Sequence, residues 1–190
     1  MLLKLRFHFN FDRSLQASAY LLKQAECQEL PYIHLLKMLY IADREYLAEY
    51  GYPITGDRVV AMQYGPVLSH VLNLIKGKKA GAGTWQQFIG RSLRPYNVLL
   101  LQDPGDGELS RASTAKLKDV FIRFGKLKPF QVVSLTHNFS EWKEHYTIGT
   151  SVHIPLQAIL QAQGAEKMIR VVESQIKLQR HQRALQKACQ

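Results

Sequence analysis

Cysteine is nearly absent: there are two in 190 residues, Cys27 and Cys189, far apart in stretches that read as helix. Without a CxxC pair they form neither a metal site nor a redox couple, and a reduced, cytoplasmic setting is the simplest expectation. No apolar run is long enough for a membrane span or a signal core. Met1-Leu2-Leu3 begins like one, but Lys4 and Arg6 interrupt it. There is no phosphate loop, no GxSxG elbow and no HExxH pair, and neither cysteine has the surroundings of a catalytic thiol. These absences lead us to expect a non-enzymatic protein with no catalytic residues, no cofactor and no membrane partner. Carboxylates are also scarce, 15 against 25 Lys and Arg, for a net charge of +10.

The positive charge is unevenly spread. Residues 1–77 carry eight Lys or Arg against seven Asp or Glu, residues 78–163 eleven against six, and residues 164–190 six against two. The excess therefore lies in the middle and the tail. It suits an acidic protein or, as a secondary class, nucleic acid; a solvated surface is the plain alternative. His137, His145 and His153 recur every eight residues. Zinc-binding histidines on one helix stand four apart, and Gly149 and Pro155 break any single helix here, so no metal site is expected.

The chain is organised around Leu35 to Gly77. Leu35, Leu39, Ala42, Tyr46 and Tyr50 fall at helical spacing, as do Val67, Leu68, Val71, Leu72 and Ile75. Gly51 follows the first helix as a left-handed cap, Pro66 is expected at the first position of the second, and Gly77 closes it. Between them lie Thr55-Gly56-Asp57 and a short strand from Arg58 to Tyr64. Asp43 sits at the edge of the buried stripe, where a carboxylate needs a partner such as Arg44, Arg58 or a backbone N–H. Arg44, Glu45 and Glu49 read as the solvated face of that helix.

Elsewhere, Leu3 to Phe11 alternate apolar with polar, the signature of a strand. Asp12 is expected to cap a helix from Arg13 to Cys27, and Pro31 to open the long one. Thr84 to Arg91 and Tyr96 to Gln102 read as strands. Further helices are expected after Ser110, from Pro129, from Ser140 as cap with Glu141 complementing the dipole, and from Pro155. The fold class is then α+β and predominantly α-helical, with one small antiparallel sheet of three or four strands. Two regions are expected: residues 1–164 as the main domain with its N-terminal strand, and residues 165–190 as a basic C-terminal helix.

LLKMLYIADREYL, GYPITGD and VAMQYGPVLS, followed by Trp85, DPGDGELS (Asp103 to Ser110), THNFSEW (Thr136 to Trp142) and IPLQAILQAQG (Ile154 to Gly164), resemble the Panacea (SocA-like) antitoxin domain in order and spacing. The resemblance runs from about Asp12 to Gly164. It implies a protein-binding module that neutralises a cognate toxin by direct binding, in a type II toxin–antitoxin system associated with phage or mobile elements. The signature positions, structural or partner-binding, are Tyr40, Asp43, Arg44, Thr55, Gly56, Asp57, Met62, Gly65, Pro66, Ser69, His137 and Trp142. An adaptor that delivers a toxin to a protease follows from the same resemblance. A nucleic-acid-binding regulator or autorepressor is a second class, and a hydrolase built on Asp43 or Asp57 with a histidine is a third. In the tail, Met168, Ile169, Val172 and Ile176 form a stripe that should dock on the domain or on a second copy. Lys177, Arg180, Arg183 and Lys187 form a basic end for an acidic partner.

Overall fold

The structure is a computed structural model that describes residues 5–188. Among these residues it has nine α-helices and six short strands in two three-stranded antiparallel sheets. The helix Tyr32–Tyr50 (α2) is the hub. Every residue from His34 to Asp43 is buried, so this segment is covered on all sides. Around it pack Phe11–Gln24 (α1), Arg111–Phe124 (α5), Pro129–Thr136 (α6) and Leu156–Gln161 (α8). Gly51 ends α2 with φ +75°, and its N–H donates to Leu47 O at 2.9 Å. Glu45 and Glu49 lie on the side of α2 that faces α5. They pair with Lys116 and Arg123 of that helix, so this face is bridged and not simply solvated.

One sheet contains Val59–Met62 (β2) between Gly65–Leu68 (β3) and Val152–His153 (β6). The other contains Asn97–Leu100 (β5) between Glu29–Pro31 (β1) and Ile89–Arg91 (β4). The expected single sheet is thus two. Pro66 pairs with Ala61 within β3, and the next helix, Ser69–Ile75 (α3), starts three residues later than expected. An edge strand accepts proline because the missing N–H need not face a neighbour.

Leu5 to Asn10 forms no helix and joins neither sheet. The alternation is real, with Leu5 and Phe7 buried and Arg6 and His8 exposed. The donors, however, go elsewhere: His8 N–H to Gln179 Oε1 and Asn10 N–H to Thr55 O. Leu3 and Lys4 lie outside the described residues. Asn10, not Asp12, caps α1, its side chain accepting from Arg13 N–H at 2.9 Å. The expected strand from Thr84 is largely helix, Ala82–Phe88 (α4), with only Ile89–Arg91 extended. A helical turn buries Trp85 completely against α3, and that packing overrides the strand preference of the aromatics. Cys27 lies in an exposed 3₁₀ turn with φ +54°, and Cys189 is outside the described residues.

The remaining expected helices form, with Ser110 capping α5 through Ser113 N–H. Phe139, not Ser140, is the cap residue of Ser140–His145 (α7). The last helix, Ile169–Ala188 (α9), follows a short 3₁₀ turn; Val172 and Ile176 join the core, while Lys177, Arg180 and Arg183 are exposed. The stripe thus docks on the chain's own domain.

Candidate functional site

The polar residues of α2 stand out because they sit inside the core. Lys37, Tyr40, Asp43 and Arg44 each need a partner from another element, and each has one. Lys37 Nζ donates to Pro66 O at 2.6 Å, which ties α2 to β3. Burial lowers the Lys37 pKa to about 7. Tyr40 OH donates to Glu141 Oε1 at 2.8 Å, and Arg44 Nε donates to the same oxygen at 2.5 Å. Glu141 is fully buried and Arg44 nearly so, and the guanidinium lies 4.1 Å from the centre of the Phe139 ring. Arg44 therefore does not belong to a solvated face, and Glu141 serves an ion pair as well as a helix start. Removing the partner of such a buried carboxylate is strongly destabilising.

Asp43 closes the turn after α2. It accepts from Thr55 N–H at 3.0 Å and from Thr55 Oγ1. Burial raises its pKa to about 7, against the opposing effect of the Thr55 hydrogen bonds. Thr55 Oγ1 then accepts from Asp57 N–H. Asp57 in turn receives four donors: the N–H groups of Arg58, His70 and Val71, and His70 Nδ1 at 2.7 Å. Gly56 sits at φ +67° against the His8 carbonyl, where a side chain has no room. Ser69, half-buried, donates its N–H to Arg58 O.

The THNFSEW segment fastens the opposite side. Trp142 Nε1 donates to Met62 O at 2.9 Å, and the His137 ring stacks on Trp142 at 4.2 Å. Burial lowers the His137 pKa, helped by the Lys37 charge. Gly65, at φ +88°, lets Thr136 and Lys37 approach: a Cβ there would stand 2.6 Å from Thr136 Oγ1 and 3.0 Å from Lys37 Nζ.

The profile of the antitoxin SocA-like, Panacea domain matches residues 35–143, more than half of the chain. The chain belongs to this family. No curated protein and no solved structure matches it. In this Panacea domain signature residues gather in three contact groups: Tyr40 and Arg44 at Glu141, Asp43 with Thr55 and Asp57, and Met62 with Trp142 and His137. Tyr40, Asp43, Thr55, Asp57, Gly65 and Pro66 are buried, while Met62, Ser69, His137 and Trp142 are partly open. Lys37 and His70 complete the network and were not singled out in the sequence. The apolar letters around Lys37 signal a buried amine, but nothing local connects His70 to Asp57.

Asp43 is thus engaged by Thr55, and Asp57 by the His70 ring, in hydrogen bonds that hold the turn after α2. Among the described residues no group of three or more His, Cys, Asp or Glu is arranged to hold a metal. No described helix is long and apolar enough to cross a membrane.

Proposed function

We propose that this Panacea protein neutralises a toxin by binding it directly in the cytoplasm, without catalysis. The observation that carries the reading is the family match over residues 35–143, together with the hydrogen bonds that fasten Thr55, Pro66 and Glu141 of the signature to the central helix α2. A domain latched in this way is a rigid platform, and preorganised surfaces bind with little ordering cost. Co-expression tests the proposal. The open reading frame beside this gene should arrest growth alone, and growth should return when this chain is produced with it. Rescue that needs an intact protease, with the toxin disappearing from the cell, makes the chain a delivery adaptor instead.

A second reading, nucleic-acid binding, has one feature in its favour: Lys177, Arg180 and Arg183 stand exposed on α9, and Lys187 continues the run in sequence. Under it, removal of the chain after Ile176 flattens the slope of log affinity for a DNA duplex against log salt. An unchanged slope removes that reading.

A further inference from the structure

A groove of about 510 Å³ runs along the face formed by β2 and the end of α3, and its lining contains no carboxylate. Arg6, Arg58, Lys78 and Lys79 line it, and none of the four takes part in an ion pair among the described residues. Ser69, Asn73 and Ser151 add hydroxyl and amide groups. Like charges gathered in a cleft repel one another and focus a positive potential outward. Here the backbone that carries Arg58 and Lys78 is also held in place. The Asp57 carboxylate takes both the Arg58 N–H and the His70 ring, Lys78 N–H donates to Asn73 O at 2.8 Å, and Phe9 stacks on His70 at 4.8 Å beneath Lys79. The Thr55-Gly56-Asp57 segment of the signature thus fixes one wall of the groove.

Arg6 and Arg58 also line a second, larger groove of about 890 Å³, so the two meet at these residues. Beyond the seam the lining turns apolar, with Leu5, Pro155, Ala158 and Ile169, and it includes Glu144 and Glu173. A phosphate backbone following this path would leave a cationic stretch for one with two carboxylates. A polypeptide with acidic side chains at one end and large apolar ones at the other meets the cationic groove with its carboxylates and Leu5, Pro155, Ala158 and Ile169 with its apolar end.

We propose that the paired grooves are the docking surface for an acidic–apolar segment of the protein partner, its carboxylates lying between Arg58 and Lys78. This rests on the toxin-binding reading and gives it a location. The test uses the full chain and a labelled peptide whose first half is glutamate and whose second half carries leucine and phenylalanine. Binding is followed by fluorescence anisotropy at low salt. Arg58→Glu with Lys78→Glu should weaken the peptide by about tenfold or more, the scale of close charge pairs. Arg111→Glu with Lys118→Glu changes net charge equally and should leave it within about twofold, because those groups lie on α5, which lines neither groove. All four side chains are exposed or line the groove, so circular dichroism should report an unaltered fold. Equal losses in both variants overturn the proposal, as does absence of peptide binding. A DNA duplex that binds more tightly than the peptide and is lost with Arg58 and Lys78 overturns it in favour of nucleic acid. A toxin neutralised equally well by the groove variant removes the groove but keeps the toxin reading; a groove that holds the peptide in a chain that rescues nothing does the reverse.

Discussion

Arg44 and Glu141 meet across 97 residues of sequence, Nε to Oε1 at 2.5 Å, with the carboxylate fully buried. This ion pair joins two distant segments of the Panacea signature, LLKMLYIADREYL and THNFSEW, and Tyr40 shares its acceptor oxygen. Removing either member leaves the other buried and unpaired. Arg44→Met and Glu141→Leu should each cost about 3–5 kcal/mol, and the double variant less than the sum. Urea denaturation of the four proteins of the cycle measures this. Additive losses would mean that the pair is not coupled.

Lys37 gives stability a pH dependence of known sign. Its folded pKa, about 7, lies below the ordinary 10.5. Between these values the unfolded chain holds a proton that the folded chain does not, so this group makes stability rise with pH and the gain is complete only above 10.5. Lys37→Met should remove that rise, which approaches about 1.4 kcal/mol per pH unit. Parallel stability profiles of the two proteins from pH 7.5 to 9.5, an interval of about two units, would contradict the burial of a neutral amine.

Asp43 acts in the opposite direction. Its folded pKa of about 7 lies above the ordinary 3.8, so folding takes up a proton between them and stability from this group falls as pH rises. Asp43→Asn keeps an acceptor for Thr55 N–H and removes the ionisation. Its stability relative to wild type should therefore improve from pH 4 towards pH 7, roughly the span of the shift. Thermal melts across that range check it, and a constant difference would sink the assignment.

Gly65 combines a positive φ of +88° with closely approaching side chains from Thr136 and Lys37. Gly65→Val should destabilise by at least about 2 kcal/mol, from backbone strain and displacement of the Lys37 amine. A wild-type melting temperature in that variant would show that the β2–β3 turn rearranges freely.

The tail should divide at Ile176. Val172 and Ile176 are buried, whereas residues 177–185 are exposed apart from Gln179, which accepts from His8 N–H. Ending the chain after Ile176 should cost about 1 kcal/mol, one hydrogen bond. Ending it before Val172 exposes core and should cost several times more. Equal melting temperatures for the two truncations would place α9 outside the fold.

Much of this was legible in the sequence because it is local. Gly51 and Ser110 cap as their positions require, and α5, α6 and α8 follow from apolar spacing and their opening residues. Asp43 was legible as a carboxylate in need of a nearby donor, and Thr55 is twelve residues away. What could not be read depends on distant contacts. Leu5 to Phe9 alternate like a strand, but whether a partner strand lies alongside is decided by other elements. Trp85 turns helical because the pocket that receives it sits beneath α3. Glu141 looks like a helix-start residue until Arg44 arrives from the other end of the domain. The basic groove draws on Arg6, Arg58, Lys78 and Lys79, which no single window of the sequence brings together.

The central claim is direct association with a toxin, and the decisive measurement is the mass of the purified mixture. This chain and the product of the adjacent reading frame should be combined and resolved by size-exclusion chromatography with light scattering. A stable complex of defined stoichiometry that no longer shows toxin activity is the expected result. Two separate peaks under conditions where co-expression rescues growth would contradict neutralisation by binding.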